Sequence, residues 1–126
     1  MLLGNDLESP PSKDAGYMYL GKLVRVIDGD TFEIRVELGF YVSTVQRFRL
    51  AKVDAPERRG SDRAAGLVAT NFCVDWFGSR LGLVLVKCFG TDKYGRWVAD
   101  VKDRVTLESL HDALLSGGLG VISKKI

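Results

Sequence analysis

The sequence predicts an α+β fold that is mainly β, a small five-stranded barrel covered by two helices. Three observations predict it. Apolar and polar residues alternate strictly from Phe32 to Leu38, which is typical of a strand with one buried face. Four further strand patterns surround this segment, and helical patterns follow the third and the fifth strand. With 126 residues and 46% apolar content, the chain is long enough for one core.

The strand patterns are short and bounded by turn residues. The predicted strands cover residues 21–27, 32–38, 45–53, 83–89 and 97–101, with reversals at 28–29, 39–44 and 90–95. Phe48 and Leu50 share one face of the third strand. Ala51 and Val53 share the other face, so the pattern changes phase and predicts a bulge or a strong twist.

Two amphipathic helices complete the predicted fold. The first follows Ser61-Asp62 and stops near Gly78, and its apolar stripe is Ala64, Val68, Phe72 and Trp76, flanked by Ala65, Ala69 and Cys73. The second is capped by Thr106, carries Leu107, Leu110 and Leu114, and ends at Gly117-Gly118. This order of strands and helices suits an OB-type barrel, closed or partly open, with the stripe of the first helix plugging it.

One domain over residues 20–126 is predicted, preceded by a flexible arm over residues 1–19. A net charge of +2 predicts no partner by itself. No segment matches a signal peptide or a membrane span, so the chain as given is expected to be soluble and either intracellular or exported by a route without such a signal. A monomer with no membrane or protein partner evident is also expected. Cys73 and Cys88 form no disulfide framework and are predicted to be small core residues.

Acidic residues concentrate at two predicted strand ends. Asp28 and Asp30 flank Gly29, and Asp54 and Glu57 lie in Asp-Ala-Pro-Glu. If the fold brings them together, two carboxylates about 4 Å apart repel by about 4 kcal/mol at an effective dielectric near 20. A hard divalent cation relieves such crowding with oxygen ligands, so the sequence predicts a calcium or magnesium site.

Two further polar features complete three motifs. Arg49 leads into the Asp-Ala-Pro-Glu segment, and Asp92-Lys93-Tyr94-Gly95-Arg96 forms a turn before the fifth strand. The order acid-Gly-acid-Thr, then Arg with Asp-x-Pro-Glu, then Lys-Tyr-Gly-Arg resembles the staphylococcal nuclease (thermonuclease) family. The similarity extends from about residue 22 to about residue 122. It implies an OB-type barrel and a calcium-dependent phosphodiesterase acting on DNA and RNA.

The resemblance also implies how a single calcium ion would be held. Asp30 and Asp54 would be carboxylate ligands, and the backbone carbonyl of Ala55 would be another. Asp28 would act through a water molecule. Other divalent cations could substitute for calcium.

The remaining roles concern the phosphodiester. By resemblance, Glu57 would be the general base that activates water, and Arg49 and Arg96 would hold the scissile phosphate. Lys93 and Tyr94 would lie along the other phosphate of the nucleotide. These roles suit the chemistry, because the planar guanidinium donates two parallel hydrogen bonds to phosphate and never deprotonates. The expected products are 3′-phosphate and 5′-hydroxyl ends.

Each signal has a structural alternative. Asp28-Gly29 alone is typical of a tight turn, and an EF-hand loop is excluded because Glu33 and Gly39 occupy its glycine and glutamate positions. Arg49 could be a solvated strand position. The role of Arg96 could be limited to pairing with Asp92, without binding phosphate. Tyr94 and Trp97 are expected to be partly core, and His111 to be structural. Arg58, Arg59 and Arg63 either form a basic rim for a nucleic-acid backbone or belong to a solvated loop.

The sequence also departs from the family. The connection from Arg58 to Asp62 is short, where the best-known members carry a longer lysine-rich loop. The segment from Gly120 to Ile126 lacks their tyrosines and their last helix, which would reduce stacking on bases. Ala55 replaces threonine, which matters little if the ligand is its carbonyl. Two other functions remain open, a non-catalytic nucleic-acid-binding or adaptor module and a calcium-binding structural domain.

Overall fold

The computed structural model describes residues 17–123. The strands are β1 (Met18–Asp28), β2 (Thr31–Gly39), β3 (Val42–Leu50), β4 (Val53–Asp54), β5 (Leu83–Thr91), β6 (Trp97–Asp103) and β7 (Val121–Ile122). The helices are α1 (Arg63–Gly78), which follows a 3₁₀ turn at Gly60–Asp62, and α2 (Leu110–Ser116). Five strands close a barrel in the order β1-β2-β3-β6-β5, with only β3 and β6 parallel. The predicted five-stranded barrel with two helices is confirmed.

Most of the predicted N-terminal arm lies outside the described residues, which begin at Tyr17. The first strand begins at Met18, before the predicted start at residue 21. These extra residues are strand because they pair with β5, from Met18 opposite Lys87 onward.

The barrel interior is filled by alternate strand positions. On β2, Phe32, Ile34 and Val36 are buried, whereas Arg35 and Glu37 are exposed, as the alternation predicts. The interior positions of the other long strands include Phe48, Leu50, Val84, Val86, Ala99 and Val101. Burying a side chain of Val, Leu or Phe size stabilises a fold by about 1.5–3 kcal/mol. This core therefore holds the turns at the barrel end in place.

The buried face of α1 differs from the predicted stripe. Val68 is 54% exposed, and Ala64 is also exposed. The buried residues are Gly66, Ala69, Thr70, Cys73, Trp76 and Phe77. The prediction is confirmed for Trp76 and for the flanking Ala69 and Cys73, and Phe72 is partly buried against the core, but it is wrong for Ala64 and Val68. Phe77 packs edge-on against Phe32, with ring centroids 5.1 Å apart, which turns the neighbouring face of the helix toward the core.

The predicted bulge in the third strand is instead a break. β3 ends at Leu50, and Lys52 adopts a positive φ of 70°. The chain then leaves the barrel, and Val53 and Asp54 of β4 pair with Ile122 and Val121 of β7. The change of phase therefore marks the point where the chain changes sheets.

The two-residue β7 is packed closely on β4. The Ser123 amide donates to the Lys52 carbonyl at 3.0 Å. A Cβ atom on Gly120 would lie 2.6 Å from Cγ2 of Val53 and 3.1 Å from the Asp54 carbonyl oxygen. Only glycine permits this approach of the C-terminal segment to the strand that carries Asp54.

The second helix begins later than predicted. Ser109 is at its N-cap position, and Leu107 lies outside it with a positive φ of 63°. Thr106 caps no helix; its hydroxyl accepts the Glu108 amide at 3.2 Å, within a tight turn organised by Asp103. The predicted end at Gly117 is confirmed. Within residues 17–123, no helix is both long and apolar enough to cross a membrane.

Candidate active site

An open cleft of about 670 Å³ lies at the barrel end formed by the β1–β2 turn, the end of β3, the segment after β4 and the β5–β6 turn. Its lining residues are Asp28, Asp30, Thr31, Arg47, Arg49, Asp54, Ala55, Glu57, Tyr94, Gly95 and Arg96. The three motifs are far apart in sequence, yet their polar side chains meet here. Of the residues predicted for the site, only Lys93 is outside the lining, exposed beside Tyr94.

The β1–β2 turn is held against α1 by Gly29. A Cβ atom at this position would lie 2.8 Å from the Ala69 Cβ and 2.9 Å from the Ala55 Cβ. The Cys73 thiol also donates to the Gly29 carbonyl at 3.3 Å. The glycine between the two acids thus allows the close packing that orients both.

Asp30 is held in one orientation by two hydrogen bonds. Its Oδ1 accepts the Thr31 hydroxyl at 3.0 Å, and its Oδ2 accepts the Ala55 amide at 2.9 Å. Because Thr31 begins β2 and Ala55 follows β4, these bonds fix the two acidic segments relative to each other.

Arg49 is buried and bridges the two acidic segments. Its Nη1 donates to the Val53 carbonyl at 2.8 Å and to the Leu50 carbonyl. Its Nη2 pairs with Asp54 and lies 3.5 Å from Oδ2 of Asp30. The alternative of a solvated strand position is therefore wrong. The guanidinium neutralises the same two carboxylates that were predicted to bind calcium.

Glu57 differs from its acidic neighbours because it is exposed and has no hydrogen bond or ion pair with any residue between Tyr17 and Ser123. Asp28, by contrast, accepts the Arg58 amide at 3.4 Å and lies 3.6 Å from Arg58 Nε. The backbone of Glu57 is fixed by Gly66, where a Cβ atom would lie 2.0 Å from the Glu57 carbonyl oxygen. A fixed backbone with a free carboxylate suits a general base.

The β5–β6 turn is organised by Asp92. Its Oδ1 accepts the amides of Tyr94 at 2.9 Å and Arg96 at 3.0 Å, and its Oδ2 lies 2.8 Å from the Arg96 guanidinium. Burial raises the pKa of Asp92, but these hydrogen bonds and the charge of Arg96 outweigh it and leave the pKa below its ordinary value. The pairing of Arg96 with Asp92 orients the guanidinium at the cleft.

Tyr94 is 69% exposed, so the expectation that it is partly core is wrong. The charged ends of Lys93 and Arg96 each lie 5.3 Å from the centre of its ring. Trp97 is less exposed and lines a separate apolar cavity of about 180 Å³. The turn therefore presents two cations and one aromatic ring at the mouth of the cleft.

A calcium ion fits the donor chemistry of the cleft in part. Asp30 and Asp54 both line it together with Ala55, and hard cations prefer such oxygen donors and accept water at remaining positions. Among residues 17–123, however, no three His, Cys, Asp or Glu side chains are arranged to hold a metal. The protein would therefore supply few ligands, and Arg49 would have to share its carboxylates with the ion.

Two cleft residues were not predicted as site residues. Arg47 lies two positions before Arg49 on β3 and so faces the same side of the strand. Its only ion pair in the described chain is with Glu33, with Nη2 4.0 Å from Oε2. The alternation of arginines on β3 was the available signal. Thr31 belongs to the acid-Gly-acid-Thr motif, which predicts no role for its side chain, and its hydroxyl donates to Asp30.

The histidine and the two cysteines, which were predicted to be structural, lie outside the lining of the cleft. His111 is buried away from the cleft, with Nδ1 3.0 Å from Asp100 and Nε2 3.2 Å from Asp112. Cys73 and Cys88 are unpaired with each other, and burial raises their thiol pKa values to about 12 and about 11. For Cys73 the negative charge of Asp30 adds to this effect. Neither thiol is suited to nucleophilic chemistry at neutral pH.

No protein-family profile matches the chain, and a comparison with curated proteins finds no significant match. The resemblance to staphylococcal nucleases is therefore carried by the three motifs and is compatible with the OB-like barrel. At the level that the structure shows, the chain is a five-stranded barrel with a charged cleft at one end.

Proposed function

We propose that the protein is a calcium-dependent nuclease of the staphylococcal nuclease type, which hydrolyses phosphodiester bonds of DNA, RNA or both. One observation carries the proposal: Glu57, whose side chain has no partner among residues 17–123, shares a cleft with the carboxylates of Asp30 and Asp54 and with Arg49 and Arg96. Phosphodiester hydrolysis needs a nucleophilic water, neutralisation of charge on the nonbridging oxygens and help for the leaving oxygen. In this proposal Glu57 would supply a base for the water, and the two guanidiniums and a cation would supply the positive charge.

In this proposal Glu57 accepts the proton of a water molecule as the water attacks phosphorus. Arg96, oriented by Asp92, donates hydrogen bonds to the nonbridging oxygens. Arg49 Nη2 can exchange its Asp54 partner for a phosphate oxygen, while Nη1 stays on the Val53 carbonyl. A bound divalent cation would supply positive charge for Asp54 and for the phosphate. The P–O5′ bond breaks and the departing 5′ oxygen takes a proton from solvent water, which leaves 3′-phosphate and 5′-hydroxyl ends.

The test is cleavage of labelled single-stranded DNA with calcium, with magnesium and with a chelator. Glu57→Gln is run beside wild type, and Glu37→Gln, an exposed glutamate on β2, is the matched control. We expect calcium-dependent cutting that the chelator abolishes, that Glu57→Gln reduces by about 10²–10⁴-fold, and that Glu37→Gln leaves unchanged. Equal cutting by wild type and Glu57→Gln would contradict the role of Glu57 as the general base.

A second candidate is a non-catalytic nucleic-acid-binding or adaptor module with the same barrel. The observation that favours it is that Arg49 and Arg96 are both paired with carboxylates of the protein itself. It predicts that folded wild type binds the oligonucleotide but cuts it with none of the metals. The same assay, with binding measured in parallel, therefore separates the two functions.

A further inference from the structure

Three arginines form a second cleft beside the first. Arg58, Arg59 and Arg63, together with Gly60 and Leu67, line an open depression of about 400 Å³ at the start of α1. We refer to these three arginines as the basic rim. All three are exposed, and among the residues that the structure describes no acidic side chain lines this depression.

The basic rim is continuous with the candidate active site. Arg58 directly follows Glu57, and its amide and Nε both approach Oδ1 of Asp28, at 3.4 Å and 3.6 Å. Asp28 and Glu57 line the first cleft, so the second cleft begins where the first ends. A chain of phosphates that leaves the first cleft on this side would meet the rim next.

Two of the three guanidiniums are available. The side chains of Arg59 and Arg63 make no hydrogen bond or ion pair within the described part of the chain, whereas the Arg58 side chain is paired with Asp28. Arg63 is the first residue of α1, whose first turn contains no acidic residue. Cations at the amino end of a helix are unfavourable for its dipole, so helix stability does not account for an arginine there.

We propose that the basic rim is a second phosphate subsite, which binds a backbone phosphate next to the scissile one in a polynucleotide. This subsite rests on the proposed function, because it would bind the phosphate next to the one that is cleaved beside Glu57. The planar fork of arginine suits phosphate oxygens, and the guanidiniums of Arg59 and Arg63 can bind one phosphate each or share one. The rim makes long chains better substrates than dinucleotides.

The first test is binding without cleavage. Affinity for a labelled 12-nucleotide single strand is measured in chelator over a series of salt concentrations. The variants are Arg59→Ala/Arg63→Ala and, as control, Arg35→Ala/Arg104→Ala, which removes the same charge from exposed positions outside both clefts. Each lost phosphate contact should reduce the slope of log affinity against log salt by about 0.7, so the rim variant should lose about 1.4 if both arginines bind separate phosphates.

The control should change the slope by much less. Equal slopes for the rim and control variants would overturn the subsite. The charge-reversed Arg59→Glu/Arg63→Glu should weaken binding further, and unchanged binding by that variant would also overturn it. Thermal melts of each variant verify folding. Vesicles containing phosphatidylserine serve as a different polyanion; loss of vesicle binding with unchanged oligonucleotide binding would assign the rim to membranes and overturn the proposal.

The second test is cleavage with calcium. The ratio of cleavage efficiency for the 12-mer to that for a dinucleotide should fall by about tenfold in the rim variant and stay unchanged in the control. The two failures are distinguishable. If the slope of log affinity against log salt depends on Arg59 and Arg63 but wild type does not cut, the subsite is supported and the nuclease function is contradicted. A wild type that cuts with a ratio unaffected by the rim supports the nuclease and removes the subsite.

Discussion

Two clusters of charged side chains in this molecule pair carboxylates with cations, and they differ in access. Asp100 is 4% exposed and is surrounded by His111, Ser109 and Lys102, at 3.0, 3.3 and 3.8 Å. The cluster of Asp30, Arg49 and Asp54 opens into a cleft of about 670 Å³. Internal pairing is common to both clusters. What distinguishes the second is an adjoining carboxylate, Glu57, with no partner in the described chain.

The largest expected effect is the separation of activity from stability at Glu57. Because its side chain is exposed and has no partner within residues 17–123, Glu57→Gln should leave the thermal midpoint within about 2 °C of wild type. The same variant should lose about 10²–10⁴-fold in cleavage rate. Thermal melts and rate measurements on one preparation check both parts. A large fall in the midpoint would mean that Glu57 belongs with the structural cluster.

Arg49 should contribute to both stability and cleavage activity. Arg49→Ala leaves Asp30 and Asp54 without their shared cation, so we expect a loss of about 2–4 kcal/mol, less than for a sealed pair because Asp54 is 42% exposed. Cleavage should fall by about 10²–10³-fold. Calcium should raise the thermal midpoint of this variant more than that of wild type, because arginine no longer competes for the carboxylates. Equal calcium shifts in Arg49→Ala, wild type and the control Arg35→Ala would argue against a shared site.

Gly66 should control the position of Glu57 from the helix side. In Gly66→Ala the new Cβ would meet the Glu57 carbonyl oxygen at 2.0 Å, so the segment must shift. We expect a loss of about 1–3 kcal/mol and a fall in cleavage of about tenfold or more. The matched control is Gly78→Ala on the same helix, where the Cβ would meet nothing within 4 Å. Identical behaviour of the two variants would contradict the positioning role.

Asp100 should have the smallest effect on activity and a clear effect on pH dependence. Burial raises the pKa of Asp100, but His111, Lys102 and Ser109 outweigh it and hold the pKa below its ordinary value of 3.8. A carboxylate with a lowered pKa in the folded state stabilises the fold above about pH 4, and this contribution is lost as the pH falls further.

Asp100→Asn should therefore cost about 2 kcal/mol at pH 7, and its difference from wild type should shrink below about pH 4. Melts from pH 3 to pH 7 measure this, with the exposed Asp75→Asn as control. Cleavage at pH 7 should be unchanged. A difference that stays constant down to pH 3 would mean that the ionised carboxylate is not the stabilising form.

Local patterns were sufficient for the barrel, whereas contacts between distant segments were not visible in them. Strict alternation on β2 predicted the burial of Phe32, Ile34 and Val36, because one face of a strand must meet the core. Helix α1 is apolar on two adjoining faces, so its pattern alone could not select the buried one. Contact with Phe32 and with the Glu57 backbone selects it. β7 has two residues and no periodicity, so its pairing with β4 could not be predicted.

For the candidate site, the motifs predicted which segments would meet but not how their side chains would be shared. The sequence indicated that Arg49 and the acids belong together, and they do lie together. It could not show that Arg49 is buried and already paired with Asp54, because that depends on the turn at Lys52. Arg47 belongs to none of the three motifs, so they did not indicate that it lines the cleft.

The pairing of β4 with β7 links Asp54 to the C-terminal end of the described chain. β7 is only two residues long, and Val121 and Ile122 are both exposed, so its hydrogen bonds should open far more often than those of the barrel. Each opening would release the backbone that orients Asp54. A ligand that binds only the closed form suppresses such openings. Calcium bound by Asp30 and Asp54 should therefore slow amide hydrogen exchange at Ser123, whose N–H bonds to Lys52, although Ser123 does not line the cleft.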